Sequence, residues 1–260
     1  MIVYVVGAGV WGMTIARKLS RIKGVHVGGM VDPARAYGVD AFGDPVLESL
    51  AGVLDNMRPD AIVVATPPST HAEIVRECCD AGVKRIRVEK PMGVSDVDAR
   101  LMHHYAAVCG VGLTVGYQML HSYGWSVVRE WAASRDINRL SAIRTTSGQP
   151  RHDVTAMLDM GSHAAAYATQ LNVSDVKIET GYGSYDVRST RLESVDGEHA
   201  SLVEVGNRQI VELGDTRITV EGDDPLMTSL QAWVRGFGYT SDTAMRAHKI
   251  LDAQNVRGAA

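Results

Sequence analysis

The chain has 260 residues, enough for one large domain or two modest ones. Hydrophobic residues make up 45% of it, as in an ordinary globular protein, and a formal net charge of −4 gives no reason to expect a nucleic acid or an anionic membrane as partner. No apolar run reaches the roughly 18 residues of a membrane span, and no charged segment precedes the first apolar stretch, so we expect neither a membrane span nor a signal peptide.

The three cysteines indicate a reducing compartment. Cys78 and Cys79 are adjacent and Cys109 is the third, so their number is odd and their spacing is not that of metal ligands. We therefore expect small buried thiols, no metal site and a cytoplasmic protein.

The first predicted elements form a strand, a tight turn and a helix. An apolar run ends in Gly7-Ala8-Gly9-Val10-Trp11-Gly12, a G-x-G-x-x-G sequence followed by a helical pattern. In such a motif Gly7 permits the turn, Gly9 leaves space for a pyrophosphate beside the backbone, and Gly12 lets the helix pack closely on the strand. The helix start adds free N–H groups for phosphates. The sequence thus predicts dinucleotide binding by this loop, Val10 and Trp11 included.

The next predicted strand, over 25–31, ends at Asp32, which lies 20 positions after Gly12. A carboxylate at this place accepts hydrogen bonds from the adenine ribose, and it repels a 2′-phosphate. Asp32 therefore favours NAD(H) over NADP(H). Arg35 follows closely; it either offsets that preference, which keeps NADP(H) possible, or is a solvated residue at a helix start.

The rest of the first half alternates helices and strands. The predicted helices cover 34–37, 46–54, 71–81 and 94–109, and the predicted strands cover 60–65, 85–89 and 111–115, with a short strand or turn over 39–42. The strand over 60–65 is apolar throughout, as a sheet buried on both faces requires. Repeated strand–helix units predict an α/β fold with a doubly wound parallel sheet, that is, a Rossmann domain over residues 1–118.

The pattern changes in the second half. Helices are predicted over 122–133, 153–170 and 225–256, and strands over 141–146, 176–180, 187–193, 200–205, 208–213 and 216–220. Turn residues such as Asp196-Gly197 separate the strands. We therefore expect a C-terminal α+β domain over 119–260, with an open, mostly antiparallel sheet that helices cover on one face.

Four motifs now stand in order along the chain. They are the glycine loop, Ala65-Thr66-Pro67-Pro68-Ser69-Thr70-His71, Glu89-Lys90-Pro91, and Asp159-Met160-Gly161-Ser162-His163. In order and approximate spacing, through about residue 170, this set resembles the glucose–fructose oxidoreductase / inositol dehydrogenase / MocA (Gfo/Idh/MocA) family of NAD(P)-dependent oxidoreductases.

The resemblance implies roles for individual residues. Lys90 would be the catalytic lysine, His163 the acid/base and Asp159 its partner. The expected cofactor contacts after the third and fourth strands are Ala65, Thr66, Pro67, His71, Glu89 and Lys90.

The chain departs from the family pattern in places that bear on the substrate. Gln118-Met119-Leu120-His121 stands where the family more often has Asn-Arg-Arg, and Ala166 stands where many members have Asp. We also expect the second domain to be shorter than in most members of the family. Tyr117 and Gln118 in this loop, together with His152 and Tyr167, are the candidate substrate contacts. Tyr117 and Tyr167 are alternatively core residues, and His152 alternatively lies in an ordinary segment before a helix.

The same residues suit hydride chemistry by their types and spacing. A lysine at the carboxyl end of a parallel strand, where ligands bind in open α/β sheets, can donate to a developing alkoxide. Asp159 and His163 are four residues apart on a predicted helix, so they share one face, where the carboxylate would orient the imidazole. The alternatives are a surface lysine after a strand and a histidine satisfied by a carboxylate without catalysis.

We therefore expect an oxidoreductase that transfers a hydride between nicotinamide and an alcohol or ketone of a sugar, cyclitol or sugar nucleotide. The resemblance supplies this substrate class. An imine reductase of the same fold and a non-catalytic dinucleotide-binding sensor or scaffold are the alternatives. A homo-oligomer through the C-terminal sheet is also expected, because an uncovered apolar sheet face would otherwise meet water.

Overall fold

The structure is a computed structural model, and it describes residues 1–36, 38–147, 149, 152–182, 184, 186–205 and 208–258. The chain divides into two compact units. The first contains Met1–Gly116 and Ser229–Ala244, and the second contains Tyr117–Thr228 and the residues from Met245 onward. The stretch 229–244, which was expected in the second domain, belongs to the first unit.

The first unit contains a five-stranded parallel sheet. Its strands are β1 (Ile2–Val6), β2 (His26–Val31), β3 (Ala61–Val64), β4 (Arg85–Val88) and β5 (Gly112–Val115). They lie in the order β2-β1-β3-β4-β5, and every neighbouring pair is parallel. All four residues of β3 are fully buried, as expected for a strand covered on both faces. The predicted doubly wound Rossmann sheet is confirmed.

The helices of this sheet are α1 (Val10–Leu19), α2 (Leu50–Met57), α3 (His71–Asp80) and α4 (Asp96–Cys109). Side-chain caps set two of the starts: Ser49 accepts from the Gly52 N–H and Ser95 from the Asp98 N–H. The helix expected from residue 46 therefore begins only at Leu50. The helix expected over 34–37 is a 3₁₀ turn over Pro33–Arg35, and Tyr37 lies outside the described residues.

The second unit contains a six-stranded sheet. Its strands are β6 (Ile137–Thr146), β7 (Asp175–Tyr182), β8 (Val187–Ser194), β9 (His199–Val205), β10 (Arg208–Leu213) and β11 (Thr216–Glu221), in the order β11-β10-β9-β8-β6-β7. The β6–β7 pair is parallel and the other pairs are antiparallel. The predicted open, mostly antiparallel sheet is confirmed.

Two helices of the second unit, α5 (Tyr123–Ala132) and α6 (Ala156–Leu171), bury apolar faces. The strands alternate in burial, as in Leu140 and Ala142 of β6, so one face of the sheet is packed and the other is exposed. Helix α6 begins later than the expected residue 153 because the Thr155 hydroxyl accepts from the Leu158 N–H, 3.2 Å away.

The long helix expected over 225–256 is two helices, α7 (Pro225–Val234) and α8 (Ser241–Gly258). Gly236 has a φ of +88°, which suits glycine and ends α7, and Phe237 N–H donates back to the Ala232 carbonyl over 2.9 Å. The freed segment then pairs with β5, where Val115 N–H donates to the Tyr239 carbonyl over 2.8 Å. Among the described residues, no helix combines the length and apolar character needed to cross a bilayer.

Candidate functional site

The first part of the candidate site lies at the carboxyl ends of four parallel strands. Hydrogen bonds continue the sheet past the strand ends: Ala65 N–H donates to the Val6 carbonyl over 2.8 Å, and Glu89 N–H donates to the Val64 carbonyl over 2.9 Å. These bonds place the predicted cofactor residues after β1, β2, β3 and β4 along one edge of the sheet. This edge is where open α/β sheets bind ligands.

The glycine loop is tightly packed at two positions and open at the third. Gly7 has a φ of +103°, and a Cβ there would stand 2.6 Å from the Ala65 carbonyl oxygen. A Cβ on Gly12 would overlap the Gly7 carbonyl oxygen and lie 3.0 Å from its carbon, so Gly12 packs on the loop itself as well as near β2. A Cβ on Gly9 would meet nothing within 4 Å. The open position is the one expected to face a pyrophosphate.

The start of α1 fits an anionic group. Gly9 is its N-cap and has no side chain to cap the first turn, which contains no acidic residue. The N–H groups of that turn and the positive end of the helix dipole are therefore available to phosphates. Val10 and Trp11 are 86% and 40% exposed, so both can contact a bound molecule. The loop thus suits the dinucleotide that the sequence predicts.

The Asp32 carboxylate accepts hydrogen bonds from two backbone segments, the glycine loop and the turn that follows Asp32. One carboxylate oxygen accepts from the Ala8 N–H over 2.9 Å, and the other accepts from the Ala34 N–H over 3.1 Å. Each oxygen retains a further acceptor site, so ribose hydroxyls can still donate to it. Arg35 is exposed at the end of the 3₁₀ turn that Asp32 caps.

The turn after β3 presents three of its predicted residues but not the fourth. Ala65 and Thr66 are half-buried and Pro67 is exposed. His71 has no exposed surface, and both of its ring nitrogens lie against backbone carbonyls. The structure therefore places His71 beneath the turn instead of at its surface.

The end of β4 contains an ion pair that sequence reasoning missed. Glu89 is buried, and its carboxylate forms an ion pair with the Arg87 Nε, 3.4 Å away. Lys90, the next residue, is half-buried. Burial lowers the pKa of Arg87, and the Glu89 charge opposes this shift. Gly116 lies against the carboxylate, since a Cβ there would stand 2.5 Å from the Glu89 Cδ. The signal was present, because Arg87 and Glu89 are two positions apart on a strand and so share a face.

The second unit carries the other predicted catalytic residues. Asp159 and His163 are both half-buried and lie one turn apart on α6. The buried Tyr117 ring meets His163 edge to face, with 6.0 Å between centroids. Gln118 is half-buried in the 3₁₀ turn over Gln118–His121, and His152 is exposed before α6.

Tyr167 is a core residue in this structure. It has no exposed surface, and its ring stacks on Trp125 with 4.1 Å between centroids. Its hydroxyl donates to Glu204 over 3.4 Å, and burial together with the Glu204 charge raises the pKa of Tyr167 well above its usual value. Gly161 likewise faces the core, where a Cβ would lie 3.0 Å from Leu251 Cδ2.

A buried charged network under α6 was not anticipated from the sequence. Arg144 on β6 is ion-paired with Glu204 on β9, and its Nη2 donates to the Thr190 hydroxyl over 2.8 Å. Their side chains are only 5% and 4% exposed. The alternation of β6 places position 144 on the packed face with Ala142, but partners on other strands cannot be read from periodicity.

Comparison with known proteins finds a family match for the region that contains the parallel sheet and the predicted cofactor residues. Residues 1–117 match the family described as "Oxidoreductase family, NAD-binding Rossmann fold" (GFO_IDH_MocA). The match covers 117 of the 260 residues, the part of the chain that contains the glycine loop, Asp32 and Lys90. The resemblance drawn from the four motifs is confirmed over these residues, which match the NAD-binding Rossmann fold of this oxidoreductase family.

Two curated relatives match within the same region. One is an uncharacterized oxidoreductase of Streptococcus pneumoniae, 33% identical over 99 residues, which are 38% of this chain and 27% of the relative. The other is the rhizopine catabolism protein MocA of Rhizobium meliloti, 29% identical over 114 residues, which are 43% of this chain and 36% of the relative. The matches therefore span about a third of the length of these relatives.

Solved structures of similar fold match nearly the whole chain. A UDP-N-acetylglucosamine 3-dehydrogenase from Acidithiobacillus ferrooxidans has a TM-score of 0.83 at 19% identity, with 98% of this chain and 97% of the other covered. KijD10, a 3-ketoreductase from Actinomadura kijaniata in complex with NADP and TDP-benzene, has a TM-score of 0.79 at 16% identity, with 98% and 97% covered. At these identities the likeness establishes the fold.

Across the described part of the chain, no three His, Cys, Asp or Glu side chains gather as metal ligands would.

Proposed function

We propose that the protein transfers a hydride between NAD(H) and an alcohol or ketone carbon of a sugar, cyclitol or sugar nucleotide. One observation carries this proposal: the open glycine loop, the backbone-held Asp32 and the Glu89-Lys90 pair follow neighbouring parallel strands at one edge of the sheet. That edge unites the groups that hold a dinucleotide with a lysine suited to its reacting end. The dehydrogenase and ketoreductase named above support the substrate class.

The chain's own residues would share the work as follows. The first turn of α1 would hold the pyrophosphate, and Asp32 would accept from the ribose hydroxyls. Bound NAD would supply the hydride acceptor or donor. Lys90 would donate a hydrogen bond to the reacting oxygen and stabilise negative charge there, while His163, oriented by Asp159, would exchange the proton.

A turnover screen with purified protein tests this role. Sugars, cyclitols and sugar nucleotides are offered with NAD+ or NADH, and nicotinamide absorbance is followed. Lys90→Ala should abolish turnover while NADH affinity, read from tryptophan fluorescence near Trp11, survives; Lys84→Ala, at an exposed lysine before β4, is the matched control. Turnover of cyclic imines alone would favour the imine reductase, and NADH binding without any turnover would favour a sensor or scaffold.

The preference for NAD(H) over NADP(H) is a second part of the proposal. It is supported by the Asp32 carboxylate, whose orientation the Ala8 and Ala34 N–H groups set. Dissociation constants for NADH and NADPH should differ in favour of NADH, and Asp32→Ser should narrow that difference. Tighter binding of NADPH by the unaltered protein would contradict this preference and assign the 2′-phosphate to Arg35.

We also propose that the exposed face of the second sheet pairs with a second copy in a cytoplasmic homo-oligomer. Ile143, Val187 and Val205 are 45%, 40% and 58% exposed on that face, and a cluster of exposed apolar side chains favours a protein contact. The Ile143→Asp variant should then have a lower molar mass than the unaltered protein, as measured by light scattering after gel filtration. The free state of all three cysteines agrees with a reducing compartment.

A further inference from the structure

His71 joins the ends of two neighbouring strands. It begins α3, and its ring is completely buried. Its Nδ1 lies 3.0 Å from the Met92 carbonyl oxygen and its Nε2 lies 2.9 Å from the Thr66 carbonyl oxygen. Thr66 follows β3, whereas Met92 follows β4 and stands two residues after Lys90.

The segment after Lys90 is enclosed. Pro91, Met92 and Gly93 are buried, and a Cβ on Gly93 would stand 2.6 Å from the Asp98 Cβ of α4. Helix α4 thus bounds this segment on one side, and His71 meets it at the Met92 carbonyl. Any movement of the segment would move the backbone that carries Lys90.

Burial favours the neutral form of the His71 ring. Burial lowers the pKa of His71, while the carbonyls of Thr66, Met92 and Pro91 and the charge of Glu89 on β4 oppose this shift. A neutral imidazole has one N–H group, so only one of the two carbonyls can accept from it. The turn at Thr66 has other support, since the Thr70 hydroxyl lies 2.7 Å from the Thr66 hydroxyl and Thr70 N–H donates to Pro67.

We propose that His71 is a positioning residue for Lys90, whose Nδ1–H ties the Met92 carbonyl, and with it the Lys90 segment, to the start of α3. This inference rests on the proposed function, in which Lys90 donates to the reacting oxygen. His71 itself, being buried, touches neither substrate nor cofactor in this role, although the family resemblance led us to expect a cofactor contact.

Two substitutions separate the two contacts. The amide nitrogen of Asn takes the place of Nδ1, and that of Gln takes the place of Nε2. His71→Asn therefore keeps the contact to Met92, and His71→Gln keeps the contact to Thr66. His104→Gln, at an exposed histidine of α4, is the matched control. The readouts are kcat, KM, the NADH dissociation constant and backbone hydrogen exchange over residues 89–93.

The expected result is a difference between the two variants. His71→Gln should lower kcat by about 10- to 100-fold, as for a slightly misplaced catalytic group, without a matching change in NADH affinity. Exchange over 89–93 should speed up by about two- to tenfold, as for one lost hydrogen bond. His71→Asn should stay near the unaltered protein in both readouts.

Equal behaviour of the two variants, or better performance of His71→Gln, would overturn the assignment. If the Gln variant does not fold, the Asn variant decides alone: retained kcat and exchange support the proposal, and a loss of both overturns it. Hydrogen exchange needs no substrate. A protein that turns over nothing but shows the expected exchange difference would therefore refute the proposed function and keep the tie between His71 and Met92.

Discussion

Two alanine substitutions in the glycine loop should have opposite consequences. At Gly12 the added methyl group would overlap the Gly7 carbonyl oxygen and stand 3.4 Å from Met30 Cε. The oxygen belongs to backbone that is itself packed against Ala65, so it cannot yield cheaply. Overpacking of this kind costs about 1–3 kcal/mol, and the severity of the overlap places Gly12→Ala near about 3 kcal/mol. At about 2–4 °C per kcal/mol, this corresponds to a melting temperature lower by about 6–12 °C.

At Gly9 the same methyl group would enter open space. The backbone there has φ −72° and ψ 177°, which alanine adopts without strain. The gain of about 0.4–1 kcal/mol from a less flexible unfolded chain nearly offsets the weaker N-cap, so the stability of Gly9→Ala should stay within about 1 kcal/mol of the original. The methyl would instead obstruct a pyrophosphate, and NADH affinity should fall by more than about tenfold, or about 1.4 kcal/mol.

Urea unfolding followed by circular dichroism and calorimetric titration with NADH would measure the two effects separately. We expect Gly12→Ala to lose stability, and Gly9→Ala to lose NADH affinity while remaining as stable as the unaltered protein. A Gly12→Ala protein of unchanged stability would refute the packing argument. A Gly9→Ala protein that binds NADH normally would show that the cofactor does not approach this backbone.

Further predictions concern buried charge and close packing. Glu204→Gln leaves Arg144 buried without a counter-charge and should cost about 3–5 kcal/mol in urea unfolding, whereas Arg144→Met with Glu204→Leu should recover most of it; a single-variant loss below about 1 kcal/mol would contradict this. Because burial holds the pKa of His71 below its ordinary 6.5, the unfolded chain binds this proton more readily, so the contribution of the neutral ring is complete above about pH 6.5 and declines as the pH falls toward the folded-state pKa. The unfolding free energy of His71→Asn should depend less on pH across that range than that of the unaltered protein. An unchanged slope would exclude His71 as the source of the pH dependence. Gly116→Ala would displace the Glu89 carboxylate and should cost about 1–3 kcal/mol, and a variant as stable as the original would show that Glu89 has room to move.

Much of the architecture follows from local patterns in the sequence. The apolar run before Gly7, the period of the helices and the change to alternating strands from residue 138 predicted both sheets and most element bounds. These features depend on residues a few positions apart, which is the range over which dihedral preferences, capping and side-chain periodicity act. The sequence wrongly predicted helix over 46–49 and 235–240, because a serine cap and a glycine turn interrupt otherwise helical patterns there.

The sequence by itself determined which residue types are present at each strand end. The dinucleotide loop, Asp32 and Glu89-Lys90 could therefore be recognised without the structure. Only the tertiary structure decided which of these side chains face outward. It placed His71 under its turn and Tyr167 in the core against Trp125, and it paired Arg144 with Glu204, 60 positions away. Periodicity assigns a side chain to a face, but the partner it meets there is chosen by the packing of segments distant in the chain, where burial makes every unpaired polar group costly.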